Sequence, residues 1–453
     1  MVNPDHPLVH LSAAIQWERF DEAYASFYCQ DNGAPGLPTR LMVGLHYLKY
    51  TFNLSDEELV RRWLENPYWQ YFCGETHFQT SFPCDATSLG IWRKRIGDEK
   101  LKLTLEETIR IAAEKKFVTE KELSQVVVDT TVQEKNITFP TDAKLLSRAL
   151  IKLAKHCLSH GIKLRQSYSR KAKRWVRKAS EHGARRHFDK LKQCVGDLKN
   201  WLGRVLRDIE NKRGNKAFSP AFLQLIEIAK KLLVQEKTTS KKIYSLHEPE
   251  VCCIGKGKER IRYEFGQKAA VVTTNNRNWI VNAEDISDNA YDGHTLQKSL
   301  SGSEKITKVI VSEADVDKGF RGHDYKGAAV IRIAGTSNEG LCWSERRRKR
   351  RRSSIEPVIG HLKSDHRLDR CFLKGRLGDK LNLLGSAAGF NIRKLLSLLG
   401  TGIFSRVLLF LADFVVFCLY WRVIFTFLRR HEALQAGNRI LKNDKMTFSG
   451  TTK

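Results

Sequence analysis

The stretch Gln125-Val126-Val127-Val128-Asp129-Thr130-Thr131-Val132 decides how the rest of the 453-residue chain is read. It is short, β-branched and flanked by polar residues, which predicts a buried strand with one carboxylate emerging at its end. Ahead of it, apolar residues keep helical intervals. Residues 41–52 form an apolar-rich run; Ser55 then stands at an N-cap place with Glu58 three residues on, and Leu59, Val60, Trp63 and Leu64 follow before Pro67. Such a helix pair is more often a packed αα-hairpin than a helix-turn-helix. Further helices are expected over 87–96 and 103–117. Behind the stretch, strands are expected over 261–265, 269–274, 279–283, 306–311 and 328–333, with helices again from Ile355. Between the two strand regions, leucines and valines such as Leu146, Leu150, Leu153, Leu198, Leu202 and Val205 recur at helical spacing. Strands parted by so long a helical block imply one α/β domain carrying an insertion.

The expected division is therefore an all-α N-terminal domain over 1–122, an α/β domain over 123–143 and 240–400, a basic helical insertion over 144–239, and an apolar helical tail over 401–453. Within the tail, 407–421 is nearly all apolar, but Arg406, Asp413 and Arg422 interrupt it. An uncharged membrane span needs about 20 residues, so a packed helix is expected there and a membrane partner is not. Hydrophobic residues at 42% and charged residues at 28% describe a globular chain, not a disordered one. Ten cysteines without a C-x-x-C pair exclude a disulfide scaffold and a zinc ribbon. The first thirty residues lack a basic-then-apolar leader, and a reducing cytoplasm is the expected location.

Charge narrows the partner. The chain carries a formal +28, but residues 1–128 hold 14 Lys+Arg against 18 Asp+Glu and net −4. Residues 144–216 hold 22 against 5 and net +17. A second block, Arg346-Arg347-Arg348-Lys349-Arg350-Arg351-Arg352, is seven cations in a row. Like charges repel and resist desolvation, so such blocks belong on a wet face. Two of them in one chain point to a polyanion, with phosphate contacts that position nucleic acid without reading it. In the acidic N-terminal segment only a local face such as Trp92 with Arg93, Lys94 and Arg95 suits DNA.

Three acids stand out by context. Asp129 closes a run of valines; Asp317 follows a second apolar stretch and runs into a Gly turn; Glu356 lies beside Pro357, which a helix tolerates in its first turn. Ser354 is placed to cap that helix, and on a continuous helix Arg352, Glu356 and Lys363 share one face. Carboxylates gathered from strand ends and a helix suit hard divalent cations. Two such ions would clamp both oxygens of a phosphodiester displacement. Spacing alone does not pick this trio from fifty acids.

A resemblance does. Asp129-Thr130-Thr131-Val132-Gln133-Glu134-Lys135, Tyr244-Ser245-Leu246-His247, Tyr291-Asp292-Gly293-His294-Thr295-Leu296, Asp317-Lys318-Gly319-Phe320-Arg321-Gly322-His323, Ile355-Glu356-Pro357-Val358-Ile359-Gly360-His361-Leu362-Lys363 and Leu373-Lys374-Gly375-Arg376-Leu377-Gly378-Asp379 follow one another in order. That series resembles the DDE transposases of bacterial insertion sequences, specifically the InsH-like group, through nearly the whole chain to about residue 400. The resemblance implies an RNase H-like mixed-sheet catalytic domain with Asp129, Asp317 and Glu356 as catalytic metal ligands, two Mg²⁺ ions (or Mn²⁺), and double-stranded DNA, both element ends and target, as partner. Asp315, two residues from Asp317, is its rival for the second place. Arg352 and Lys363 keep the family's gaps around the glutamate, whereas Lys349 stands where the wider superfamily has tyrosine. The activity implied is cleavage and strand transfer, by a homodimer or higher oligomer on DNA, with the N-terminal helices reading the element's ends. The rival is a non-catalytic DNA-binding protein derived from a transposase.

Overall fold

The computed structural model describes residues 2–29, 35–214, 216–255, 262–286, 289–335, 339–340 and 342–400. The apolar tail expected over 401–453 lies outside the described residues. Among the described residues no helix is long and apolar enough to cross a membrane, and the nine cysteines are unpaired.

Among the described residues seven α-helices open the chain: α1 (Pro7–Ala14), α2 (Trp17–Tyr24), α3 (Thr39–Thr51), α4 (Asp56–Glu65), α5 (Pro67–Phe72), α6 (Ala86–Glu114) and α7 (Glu120–Leu123). The Ser55 hydroxyl accepts from the Glu58 amide at 3.1 Å and caps α4. Pro67 opens α5 at its first position, where a missing N–H costs nothing. The helices expected over 87–96 and 103–117 are one element, α6, bent at Gly97, whose φ of 74° is open to glycine at little cost.

The sheet is mixed. β1 (Gln125–Lys135) lies at its centre, antiparallel to β3 (Tyr263–Thr274) and parallel to β5 (Glu313–Val316). β3 also pairs antiparallel with β2 (Cys252–Gly255) and β4 (Ile280–Ile286). β5 carries β6 (Val330–Ile333) parallel on its far side, and the short β7 (Arg370–Cys371) adds to the end of β1. The runs expected over 261–265 and 269–274 are thus continuous in β3. The strand expected over 306–311 is not formed. Ile306 is instead the buried face of α12 (Leu296–Thr307), which Lys308 ends with a left-handed φ of 59°. The strand comes after it, in the less apolar Glu313–Val316.

Between β1 and β2 stand α8 (Asp142–Ser159), α9 (Ser169–Ala184), α10 (Phe188–Lys212) and α11 (Pro220–Val234). Leu146, Leu150, Leu153, Leu198, Leu202, Val205 and Phe222 build a core there that is separate from that of the sheet. The other core runs unbroken from the N-terminal helices through the sheet to α13 (Trp343–Arg351)'s successor α14 (Ile355–Asp365) and to α15, helical over 375–400. α3 and α15 touch so closely that a Cβ on Gly385 or Gly389 would lie 2.3 or 2.6 Å from Tyr50, so only glycine fits either place. The fold is a mixed α/β architecture with helices on and inserted into the sheet.

Candidate active site

Asp129 is the fifth residue of eleven in β1, not its last. Parallel pairing with β5 runs only as far as Val128 opposite Val316, however, so Asp129 and Asp317 both leave that ladder at its end. Strand alternation puts Asp129 on one face with Thr131, Gln133 and Lys135. Its carboxylate accepts from the Thr130 amide at 2.7 Å and lies 4.0 Å from Arg352 Nη1. Burial raises this carboxyl to about 6; Asp317 and Glu356 add to the rise, and the Thr130 amide and Arg352 oppose it. Asp317 and Glu356, from distant parts of the chain, therefore both lie within electrostatic reach of Asp129.

Asp317 starts the turn after β5, with its Oδ1 accepting from the Gly319 amide at 2.7 Å. A Cβ on Gly319 would lie 2.9 Å from that oxygen and 3.1 Å from Asp292 Oδ2. A fourth carboxylate thus borders the same turn, and it is ion-paired with Lys268 of β3. Neither residue was singled out by spacing, although Asp292 lies inside the quoted Tyr291–Leu296 motif. Asp315, the rival of Asp317, is buried and accepts from Asn275 Nδ2 at 2.9 Å. Burial pushes it up to about 6, against Arg332 and Arg348. It serves an internal network.

That network holds the basic helix. Asn275 also donates to the Arg348 carbonyl at 3.2 Å, Arg348 Nη2 to Glu313 at 3.2 Å, and Arg351 Nε to the Asn275 carbonyl at 3.0 Å. Arg332 bridges Glu313 and Glu345 at 2.6 and 2.8 Å. The seven-cation run is consequently not one wet face: Arg348, Lys349, Arg351 and Arg352 are half-buried, and Arg346, Arg347 and Arg350 are exposed. Arg347 stacks over Trp343, 5.5 Å from its ring centre.

The helix expected to carry Arg352, Glu356 and Lys363 together is broken. α13 stops at Arg351, a tight turn spans Arg352–Ser354, and α14 starts at Ile355. The Ser354 hydroxyl donates to Asn278 Oδ1 at 2.9 Å and makes no cap. Arg352 still reaches Glu356 across one turn at 2.8 Å, and Glu356 is otherwise largely exposed. Lys363 lies 4.0 Å from Glu264 and lines a cleft of about 710 Å³ with Asn53, Arg367 and Arg370. No group of three or more His, Cys, Asp or Glu side chains among the described residues converges tightly enough to hold a metal as it stands. The donor chemistry nevertheless fits a divalent ion: oxygen ligands only, on an Asp129 raised by burial and further by Asp317 and Glu356.

The N-terminal contact expected of Arg93 is excluded by burial. Its guanidinium is 1% exposed and binds Asp56 twice, at 3.1 and 2.5 Å, with Lys49 on the same carboxylate at 2.8 Å. Burial would raise Asp56, but Lys49 and Arg93 outweigh it and hold that carboxyl at about 2. A phosphate would have to displace Asp56 from a buried guanidinium. Trp92 is buried too; Arg95 stacks over Tyr28 at 5.3 Å, and Lys94 is exposed.

Comparison with known proteins gives this geometry a context. Residues 1–95 match the family described as Transposase domain (DUF772), and residues 334–396 match Transposase DDE domain. The second match contains Glu356 and Lys363; Asp129 and Asp317 lie outside both. Over 188 residues the chain is 48% identical to a Rhizobium meliloti protein named Uncharacterized protein ORF8 in nfe locus, covering 42% of this chain and 90% of that one. No solved structure matches. The chain belongs to the DDE transposases of insertion sequences.

Proposed function

We propose that the chain cuts the DNA ends of an insertion sequence and joins them to target DNA, with Asp129, Asp317 and Glu356 as the catalytic acids. The observation that carries the reading is that Arg352 lies between Asp129, at 4.0 Å, and Glu356, at 2.8 Å, while Asp129 also feels the charge of Asp317. The strand order β4-β3-β1-β5-β6, antiparallel across its first pairs and parallel across its last, supports an RNase H-like sheet. The ordered motif series supports placement in the InsH-like group.

Each acid is prepared by its own neighbours. The Thr130 amide orients Asp129, the Gly319 amide orients Asp317, and Arg352 holds Glu356 aside. An arriving phosphodiester competes for Arg352, because guanidinium binds phosphate as it binds carboxylate. Glu356 is then released toward the other two acids. A divalent ion held by the three, Mg²⁺ or Mn²⁺ by donor type, would supply a water acidic enough to attack and would stabilise the departing oxygen. The same acids serve hydrolysis and joining, so no serine or tyrosine nucleophile is needed. Exposed Arg346, Arg347 and Arg350, with Lys363 in its cleft, contact backbone phosphates. Two copies acting together, one at each element end, suit the pairing of those ends.

The test is purified protein with a labelled element end, a second duplex and a divalent ion. Cleavage and joining that vanish together in Asp129→Ala, Asp317→Ala and Glu356→Ala are expected. Binding without cleavage by the unaltered chain would make it a DNA-occupying relative, and cleavage without joining would make it a nuclease.

A further inference from the structure

The inserted bundle carries more than half of the chain's net positive charge, with +17 of +28 over residues 144–216, but its cations differ in their surroundings. On α10 and α11 half of the cations are engaged. Lys212 pairs with Asp208 at 2.8 Å, Lys230 with Glu210 at 3.0 Å, and Lys199 donates to the Gln235 carbonyl at 2.9 Å. Helix α9 differs. Arg170, Lys171, Lys173, Arg174 and Arg177 are all exposed, and none pairs with an acid among the described residues. At 3.6 residues per turn, Arg170, Lys173, Arg174 and Arg177 fall within about 100° of one another on the helix. Ala172 and Ala179, both buried, lie on the opposite side. Those alanines seat α9 on the bundle's core, so the outer stripe is held rigidly. Tyr168 stacked on Trp201, and Trp175 bonded to Asp197 at 2.9 Å, brace its start and middle. The only acid on the helix, Glu181, sits one turn beyond Arg177.

We propose that the outer face of α9 is a binding surface for the sugar-phosphate backbone of duplex DNA, independent of sequence and separate from the catalytic acids. The proposal rests on the family's partner being DNA. Its chemistry is that of four exposed cations against a single acid, Glu181, at the end of the stripe, on a helix about 24 Å long, facing a duplex that offers one phosphate per ~1.7 Å of axis. A site with paired carboxylates would suit a basic peptide instead; here the sign and the spacing select a polyanion, and rigidity favours a regular one.

Two full-length variants decide it: R170A/K173A/R174A/R177A, and R170K/R174K/R177K, which keeps the charge. Affinity is measured by anisotropy on an element-end duplex and on a random duplex of equal length, across a salt series. Neutralising four phosphate contacts is expected to reduce the slope of log K against log salt by about 3 to 4 on both duplexes. The lysine variant should keep the slope, and melting temperatures should stay unchanged because every altered side chain is exposed. An unchanged slope, a loss on only one duplex, an equal loss in the lysine variant, or a preference for single-stranded RNA over duplex overturns the proposal. Failure of the catalytic reading would show separately, as absence of Asp129-dependent cleavage with the salt slopes still differing.

Discussion

At the residue scale, Asp129 sets a conflict between stability and chemistry. Its carboxyl titrates at about 6 in the fold against an ordinary 3.8. Between those values the folded chain binds more protons than the unfolded one, so stability falls as pH rises through that window. Two units correspond to roughly 3 kcal/mol at most. Asp129→Asn should therefore melt higher than the unaltered protein above pH 6, lose that advantage below pH 4, and show no cleavage. Thermal melts across pH 3.5–8 check this; equal melting at pH 7 would remove the electrostatic account. A divalent ion should raise the melting temperature of the unaltered chain at pH 7 and leave Asp129→Asn unmoved, which reads binding without any turnover. Arg93 makes the contrasting case, a buried cation that serves folding by pairing with the half-buried Asp56. Removing it in Arg93→Ala leaves Asp56 half-paired, with an expected loss of about 3–5 kcal/mol in a denaturant titration. A stable Arg93→Ala that bound DNA poorly would return Arg93 to the interface.

At the element scale, the turn between α13 and α14 is what brings a helix charge to a strand charge. Asn275 ties α13 to β5 through Asp315, and Arg352 follows at the helix's end. Asn275→Ala should cost about 1–3 kcal/mol by orphaning buried polar groups and should reduce cleavage more than DNA affinity, since Arg346, Arg347 and Arg350 stay exposed. Equal loss of both would mean that α13 had simply unfolded. Much of this layout was legible beforehand, because β1 and α8 announce themselves by periodicity, and α4 by Ser55. What was not legible has a common cause. Glu313-Ala314-Asp315-Val316 is a strand because neighbours on both sides pair with it, while the more apolar 306–311 is interrupted by the end of α12 at Thr307 and its cap at Lys308. The seven cations look wet along the sequence, yet Arg348 and Arg351 find Glu313 and the Asn275 carbonyl, both remote in the chain. Likewise Arg93 meets Asp56 from 37 residues away. Spacing registers neighbours along one element, not partners across several.

At the scale of the whole molecule, one buried cation joins parts that the sequence keeps far apart. Lys135, at the end of β1, reaches Glu248 at 3.2 Å and Asp379 at 2.9 Å, and donates to the Leu373 and Gly375 carbonyls at 2.9 and 3.1 Å. Gln133 beside it donates to Asp379 and accepts from Asn382. Glu248 in turn accepts from the Gly375 amide at 3.0 Å, and the neighbouring Ile243 and Leu246 belong to the core of the inserted bundle. The strand that presents Asp129, the segment returning from the insertion and the start of α15 therefore meet at one point. This gives the Leu373–Asp379 motif, and Glu248 directly after Tyr244–His247, a physical task, since they hold the end of β1 at Lys135. In Lys135→Met two buried carboxylates lose their common counter-charge, and a loss of about 3–5 kcal/mol is expected. The bundle has its own core, so that loss should fall on the sheet alone. Calorimetry of Lys135→Met should resolve two transitions, the later one at the temperature where the bundle melts in the unaltered chain. A single transition shifted as a whole would mean that bundle and sheet unfold as one unit, with the coupling running through more than this ion cluster.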